Sequence, residues 1–325
     1  MTIAILGGAG YIGSHVVKYL HQQGQPLLVY DNLSQGYADA VAGHPLVVGD
    51  IGDTDKLMQC FKEHQVTAVM NFAGFIAVGE SVQNPQKYYQ NNVSQTLNLL
   101  DAMLRCGVRD FVFSSTCAIY GSPQFLPLTE DHPYAPMNPY GRTKLALEYV
   151  LEDYARAYDF RYVSLRYFNA SGADPEGLLG ERHQPETHLI PLMLQAVLGE
   201  REALSVYGTD YPTADGTCIR DYIHVWDLAQ AHLLALQYLR QRGQSNVFNL
   251  GNGAGYSVLE VIQMVEKVTG LKVPTRLCPR REGDPPVLIG SSQKAFDILG
   301  WKPVYGDLES ILSSAWNWHQ TCHQT

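Results

Sequence analysis

A glycine-rich turn near the start of the chain decides its fold: Ile3-Ala4-Ile5-Leu6-Gly7-Gly8-Ala9-Gly10-Tyr11-Ile12-Gly13. An apolar run leads directly into the glycines, and a stretch with helical periodicity follows. Glycines let the backbone approach a pyrophosphate, and a helix N-terminus supplies N–H donors and the positive end of a dipole. The pattern predicts a dinucleotide-binding turn that includes Gly7, Gly10, Tyr11, Ile12 and Gly13. The alternative is a turn that only packs a helix against a sheet.

Residues further along the chain indicate which dinucleotide binds. Asp31 ends the second apolar run and Asn32 follows it, with no arginine nearby to bind a 2′-phosphate. An acid at this place is typical of sites that bind the ribose hydroxyls of NAD, so NAD is favoured over NADP. We expect further cofactor contacts where the next two parallel strands end, from Asp50 and Ile51 and from Phe72-Ala73-Gly74. A plain strand-end aspartate is the alternative for Asp50.

Apolar runs alternate with helical patterns through the first half of the chain. Such runs are typical of parallel strands covered by helices, so we expect an α/β fold with a Rossmann-type, doubly wound parallel sheet. The alternation stops after Asn169, where a smaller C-terminal α+β lobe is expected. We predict an NAD-binding domain over residues 1–170, to which segments near 222–252 return, and a substrate-binding lobe mainly over 171–325. The predicted strands are residues 3–6, 27–30, 46–48, 66–72, 111–114 and 162–166, and the predicted helices are 11–23, 55–64, 85–106, 140–158, 189–198, 226–239 and 258–268.

A hydroxyl, a phenol and an ammonium form the predicted catalytic group. Tyr140 and Lys144 share one face at the start of a predicted helix, and Ser114 and Thr116 lie at the end of a strand, the edge where open α/β sheets bind ligands. Lowering a phenol pKa from about 10 to about 7 takes about 4 kcal/mol, of which an ammonium about 5 Å away supplies about 3 kcal/mol. We expect Lys144 to do most of this, so that Tyr140 removes a substrate proton while Thr116 binds the same oxygen and hydride passes to the cofactor. The alternative for Tyr140 and Lys144 is an ordinary pair of residues on one face of an amphipathic helix.

Composition excludes several classes of function. The 325 residues carry 32 acidic and 23 basic side chains, a net charge of −9, which argues against binding to a nucleic-acid backbone. No apolar run reaches the length of a membrane helix and the chain begins without a basic leader, so a cytoplasmic protein is expected. The six cysteines are scattered and the histidines lack metal-ligand spacing, so neither disulfides nor a metal are expected.

Taken together, these motifs resemble the extended short-chain dehydrogenase/reductase family, and within it the UDP-glucose 4-epimerases. The resemblance spans nearly the whole chain. It is carried by Gly7-x-x-Gly10-x-x-Gly13, Thr116, Tyr140-x-x-x-Lys144, Arg166-Tyr167-Phe168-Asn169, the segments 72–82 and 88–93, Asp210-Tyr211-Pro212-Thr213, the segment 220–225 and Arg280-Arg281-Glu282-Gly283-Asp284.

The resemblance implies interconversion of UDP-glucose and UDP-galactose at C4′ through a transient 4-keto sugar, with tightly held NAD and a homodimer. It implies that Arg220 and Arg281 bind the pyrophosphate, as guanidinium forks suit phosphate oxygens. It places Asn91, Ser114 and Tyr167 on the cofactor side. The uridine and ribose pocket would contain Asn169, Leu189, Tyr207 and Asp284. Core positions for Leu189 and Tyr207, and a surface ion pair for Arg220 and Asp221, are the alternatives.

Three positions depart from the common pattern of the family. Ile76 stands where many members have a lysine, and His188 where an asparagine often stands. Leu288 replaces a tyrosine that crowds the hexose C2 substituent in some members, so the N-acetylated pair UDP-GlcNAc and UDP-GalNAc is expected to turn over as well.

Rival functions differ in the residues that they require. A nucleotide-sugar 4,6-dehydratase or decarboxylase would need acidic residues after Thr116, where Cys117 and Ala118 stand. A non-enzymatic NAD-sensing module would have no need of Thr116, Tyr140 and Lys144 together.

Overall fold

The computed structural model describes residues 1–281 and 284–322. Its strands are β1 (Thr2–Leu6), β2 (Leu27–Asp31), β3 (Leu46–Val48), β4 (Val66–Asn71), β5 (Asp110–Thr116), β6 (Arg161–Tyr167), β7 (Asn169–Ser171), β8 (Leu204–Tyr207), β9 (Ile219–His224), β10 (Asn246–Leu250), β11 (Gly255–Ser257), β12 (Thr275–Cys278) and β13 (Val287–Leu288). Its helices are α1 (Tyr11–Gln22), α2 (Thr54–Glu63), α3 (Val78–Gln83), α4 (Pro85–Tyr88), α5 (Gln95–Arg105), α6 (Pro139–Ala157), α7 (Leu189–Val197), α8 (Val225–Arg242), α9 (Val258–Thr269), α10 (Gln293–Leu299) and α11 (Leu308–Cys322).

A seven-stranded parallel sheet organises the larger lobe, with the order β10-β6-β5-β4-β1-β2-β3. The chain runs outward from β1 to β3 and then crosses back to β4 on the other side of β1. The carboxyl ends of β1 and β4 therefore flank the topological switch point, where open α/β sheets bind their ligands. The predicted fold class is confirmed.

Apolar residues on both faces of this sheet form two separate cores. One core packs α1, α8 and α10 on the sheet, and Trp301 is buried in it. The other packs α2, α5 and α6 on the opposite face, with Leu99 and Phe111 fully buried. Strands β2 and β5 are buried along their whole length because helices cover both faces.

The C-terminal part of the chain is divided between the two lobes. β10 is the edge strand of the main sheet, and α8 packs against α1. Helices α7, α9 and α11 share a third core. Two small sheets, β11-β9-β13 with β7 beside β9, and β12-β8, complete the smaller lobe.

The predicted helices and strands are all present, with ends that differ by a few residues. The stretch predicted as one helix over residues 85–106 is α4, a π-helical segment Tyr89–Ser94 and α5. In the motif Arg166-Tyr167-Phe168-Asn169, the first two residues belong to β6 and Asn169 begins β7. Among the described helices, none combines the length and the apolar character that crossing a membrane requires.

Candidate active site

The phosphate turn packs tightly against the end of β4. Gly7 has a φ of 71°, and a Cβ built on it would lie 2.5 Å from the backbone nitrogen of Ala73. A Cβ on Gly13 would lie 2.3 Å from the carbonyl oxygen of Gly7. Gly10 caps α1 without a side-chain hydrogen bond, so N–H groups of the first turn are available to an anion. This cradle fits the pyrophosphate of a dinucleotide.

Tyr11 is the member of the turn whose side chain serves another purpose. Its hydroxyl donates to the Gly172 carbonyl at 2.7 Å, and its ring packs edge-on against His15 and His183. The phenol therefore ties α1 to the loop after β7.

Asp31 is held at the carboxyl end of β2 by two backbone donors. Its Oδ2 accepts from Ala9 N at 2.9 Å and its Oδ1 from Leu33 N at 2.8 Å. The carboxylate thus bridges the phosphate turn and the loop after β2, where ribose hydroxyls would meet it. Asn32 donates to Asp50 Oδ2 at 2.9 Å, which places both next to this acid. The side chain of Ile51, by contrast, is buried in the core between α2 and α5.

The end of β4 lies beside the predicted catalytic lysine. A Cβ on Gly74 would lie 3.3 Å from Asn92 Oδ1 and 3.7 Å from Lys144 Nζ. Asn91 donates to Asn92 Oδ1 at 3.0 Å, and Asn92 binds both backbone polar groups of Phe75. The segment 72–74 is thereby fixed against the π-helical segment.

Tyr140, Lys144 and Thr116 come together at the start of α6. Asn138 caps this helix by accepting from Gly141 N at 2.9 Å, and Tyr140 follows one residue into the helix. Lys144 is buried and donates to the Ser114 carbonyl at 2.8 Å, with its Nζ 6.0 Å from the centroid of the Tyr140 ring. The three functional groups that the sequence predicted therefore share one site.

The charges in this site differ from the expectation. Burial raises the pKa of Tyr140 to about 12, although a hydrogen bond from Thr116 partly offsets it. Burial also lowers the pKa of Lys144 to about 8. We predicted that Lys144 does most of the lowering of the Tyr140 pKa. For the chain by itself this prediction was wrong, because the lysine is desolvated and directed at a carbonyl.

A buried polar network that the sequence analysis missed supports the lysine. Glu148 lies one helical turn after Lys144 and raises its pKa, against the larger effect of burial. Glu148 also accepts from Ser115 Oγ at 2.5 Å and pairs with Arg166 on β6 at 2.5 Å. The i, i+4 spacing from Lys144 to Glu148 was the available signal. Ser114 and Tyr167 are joined next to it by a hydrogen bond between their hydroxyl groups.

The cations predicted to bind the pyrophosphate lie on the smaller lobe. Arg220 on β9 is paired with Asp284 at 3.5 Å. Arg281 lies over the ring of Tyr207, with 4.0 Å from its guanidinium carbon to the ring centroid. Tyr207 is partly exposed at the end of β8, so it is not a core residue. The charge of Arg220 also lowers the pKa of Cys117, against a larger effect of burial, which places this cation near the end of β5.

The Arg220-Asp221 surface ion pair, kept as an alternative, is not formed. Asp221 is fully buried and accepts from the backbone nitrogens of Asn252, Gly253 and Gly290 at 2.8, 3.1 and 3.2 Å. Burial raises its pKa to about 6. Asn169 donates to the backbone carbonyl of Asp221 at 2.8 Å, so both residues fix β9 against β7.

The remaining predicted positions lie in different surroundings. Leu288 pairs with Arg220 across β13 and β9, and with Cys117 it packs against a small cluster that includes Phe168. It therefore lies on the wall between the two lobes. Leu189 begins α7 and is partly buried against the third core. Ile76 is exposed, and His188, just before Leu189, contacts Glu181 and Glu186.

This arrangement belongs to a known class. The model of the NAD dependent epimerase/dehydratase family matches residues 3–251, and the chain belongs to this family. A more particular similarity follows from full-length relatives. The UDP-glucose 4-epimerase of Halalkalibacterium halodurans is 52% identical over 98% of this chain and 96% of that protein.

Solved structures agree with this similarity. The crystal structure of UDP-glucose 4-epimerase from Brucella ovis in complex with NAD has a TM-score of 0.95 and 50% identity, covering 97% of both chains. The UDP-Glc/GlcNAc 4-epimerase from Campylobacter jejuni has a TM-score of 0.86 and 44% identity, covering 99% of both chains.

Proposed function

We propose that this chain is an NAD-dependent UDP-glucose 4-epimerase, which interconverts UDP-glucose and UDP-galactose through a 4-keto sugar. The observation that carries the proposal is the convergence of Thr116, Tyr140 and Lys144 at the carboxyl edge of the parallel sheet, in a chain whose smaller lobe carries Arg220 and Arg281. Residues 1–170, with later segments that include β10, would bind NAD, and residues 171–325 would mainly bind the UDP-sugar.

The cofactor side of the site fits NAD through its own residues. The turn at Gly7, Gly10 and Gly13 would hold the pyrophosphate, and Asp31 would bind the adenosine ribose hydroxyls. NAD, when bound, supplies a hydride acceptor and donor and a positively charged ring. Lys144 would contact the cofactor beside Tyr140.

The chain's part in the chemistry is a proton transfer at one oxygen. Tyr140 would take the proton of the sugar hydroxyl and later return one, while Thr116 hydrogen-bonds that oxygen. Arg220 and Arg281 would bind the two phosphates of UDP, which leaves the sugar free to present either face. The interconversion of the two UDP-sugars needs no oxidant, because the sugar is neither oxidised nor reduced overall.

Cys117 argues against the rival that eliminates water. A dehydratase needs an acid after Thr116, but burial raises the pKa of the Cys117 thiol to about 12. A thiol with this pKa and the methyl of Ala118 do not serve as a general acid and base near neutral pH. The epimerase, which requires neither, is favoured.

A direct assay tests the proposal. Purified protein is given UDP-galactose without added cofactor, and UDP-glucose is followed by chromatography. We expect UDP-glucose to form with cofactor that copurifies. No product with or without added NAD, or a 4-keto-6-deoxy product, would contradict the proposal.

We also propose a cytoplasmic homodimer. The segment from α4 to α5 and the neighbouring helix α6 carry exposed aromatic rings, Tyr89 at 42% and Tyr149 at 51% exposure. A symmetric contact would bury both. Sedimentation of the wild type as a dimer, and of Tyr149→Glu as a monomer, is expected, whereas a monomeric wild type would refute the dimer. Cell fractionation tests the location.

A further inference from the structure

A second cluster of titratable side chains lies away from the catalytic group, in the loop that precedes α7. Glu181, His183, Glu186 and His188 each direct one ligand-type atom to a common point, and these four atoms all lie within 4.8 Å of one another. Glu181 and Glu186 are 94% buried, since each side chain is 6% exposed. The proposed epimerase reaction uses none of these four groups.

The contacts inside the cluster are close ion pairs between the two imidazoles and the two carboxylates. Nδ1 of His188 lies 2.6 Å from Glu181 Oε1 and 3.4 Å from Glu186 Oε1. Nδ1 of His183 lies 3.2 Å from Glu181 Oε1 and 3.6 Å from Glu186 Oε2. These ion pairs have poor hydrogen-bond geometry at both Nδ1 atoms and at Glu181 Oε1. Four ligand-type atoms that converge this closely, with poorly aligned hydrogen bonds among them, suit a shared cation.

A small cation explains the arrangement. Bonds of about 2.0–2.1 Å from Zn²⁺ to nitrogen and oxygen put tetrahedral ligand atoms about 3.3 Å apart. The contacts of 2.6 to 3.6 Å between the histidine nitrogens and the carboxylate oxygens bracket that spacing, and because all four atoms lie within 4.8 Å of one another, small side-chain shifts would bring them around one ion. Imidazole is a poor ligand for Ca²⁺ and Mg²⁺, which prefer oxygen, and a good one for zinc.

The charges of the cluster agree with a divalent ion. Burial lowers the pKa of both histidines, but the two carboxylates overcome it and raise the pKa of His183 to about 9 and of His188 to about 10. Two protons thus balance the two carboxylates in the chain alone. One Zn²⁺ supplies the same two positive charges.

We propose that Glu181, His183, Glu186 and His188 form a zinc site that is independent of the epimerase chemistry. Four protein ligands leave no open position, which is typical of a structural rather than a catalytic zinc. The site lies where the lobes meet, since Tyr11 of α1 packs on His183 and His188 caps α7. Zinc there fixes the loop between the phosphate turn and the helix that begins with Leu189.

Metal content is the first test. Tag-free protein, purified with its bound cofactor, is supplied with Zn²⁺, dialysed against metal-free buffer and assayed by mass spectrometry. We expect one zinc per chain in the wild type and a large loss in Glu181→Gln and His183→Gln. His21→Gln is the matched control, because it disrupts the other close histidine pair, His21 and His44, whose ring centroids are 4.8 Å apart. It should keep one zinc.

Two measurements on the wild type keep the proposal falsifiable if a variant fails to fold. Co²⁺ in place of zinc should give the intense visible absorption of a tetrahedral site, and zinc should raise Tm while a chelator lowers it. No stoichiometric metal and no tetrahedral Co²⁺ spectrum, or folded variants that retain as much zinc as the wild type, would overturn the proposal. The cluster would then be two ion pairs. Because epimerase activity is not the readout, this test does not depend on the proposed function.

Discussion

Tyr140 is surrounded by groups that hold its proton in the chain by itself. Burial raises its pKa to about 12, and the nearby Lys144, with a pKa lowered to about 8, is directed at a carbonyl. The Lys144 ammonium, which is still mostly protonated near neutral pH, and the positive ring of bound NAD would be the charges that favour the phenolate.

Removal of the Tyr140 hydroxyl should reduce turnover while folding and NAD retention stay unchanged. Tyr140→Phe keeps the ring that packs in the site, so the variant should fold and retain NAD. Its kcat should fall by about 10²–10⁴, the usual contribution of a general base. Turnover is measured from UDP-galactose, and retained NAD is measured in the acid extract. Near wild-type turnover would show that Tyr140 is not the base.

We expect Leu288 to determine how much space is available beside the sugar C2 substituent. A tyrosine there would extend past the leucine from the wall formed with Cys117, so Leu288→Tyr should reduce activity on UDP-GlcNAc relative to UDP-glucose by about 10-fold or more. The control is Leu288→Met, of similar volume, which should keep the ratio. Equal ratios in the wild type and in Leu288→Tyr would refute the role of Leu288 in sugar specificity.

The catalytic side chains were predictable from sequence because their spacing is local. Tyr140 and Lys144 are one helical turn apart, and the glycines share one turn. The pair of Glu148 with Arg166 was missed because it joins α6 to β6 through a contact that periodicity does not show. The cluster at 181–188 was missed for another reason, since its spacing matches no common zinc motif and the loop places its atoms together.

Among the elements, α6 has the most direct influence on the site. Its first turn carries Tyr140, and the Asn138 side chain caps that turn through Gly141 N. Asn138→Ala should lower the free energy of unfolding by about 1 kcal/mol. It should also lower kcat, because Tyr140 lies in the loosened turn. Asn138→Ser, which caps equally well, should restore both; equal stability of the alanine variant by urea unfolding would contradict the role of the cap.

The elements that the sequence did not predict are mostly short. β7, β11 and β13 have three, three and two residues, too few to show an alternation of apolar and polar side chains. β8 and β12 are about 70 residues apart in the chain, and their pairing depends on how the smaller lobe packs. The long α11 was also missed. Most elements of the larger lobe were predictable because they bury a continuous apolar face, but its edge strand β10 and the short helix α10 were not predicted.

For the molecule as a whole, buried histidines influence stability in acid. Burial lowers the pKa of His232 to about 4 and that of His15 to about 4. In the unfolded chain a histidine binds its proton below about pH 6.5. The unfolded state therefore binds more protons between about pH 6.5 and 4, and stability that is present above this window is lost as the pH falls through it.

His232→Leu should flatten this dependence. Each such histidine contributes up to about 1.4 kcal/mol per pH unit to the slope, and His232 lies in an apolar site against Phe72, at 4.7 Å between ring centroids. The free energy of unfolding is measured in urea at several pH values from 4 to 7. His21→Gln, an exposed histidine, controls for the removal of an imidazole. An unchanged slope in His232→Leu would contradict the prediction.

The return of β10 to the edge of the main sheet makes separate production of the two lobes impractical. A fragment that stops at residue 170 would expose the hydrogen-bonding edge of β6 and uncover the side of α1 where α8 packs. Such an edge invites pairing with other molecules. The smaller lobe is made of chain on both sides of β10. Attempts to exchange it between enzymes should therefore graft the segment before β10 and the segment after β10 separately, rather than cut the chain at one point.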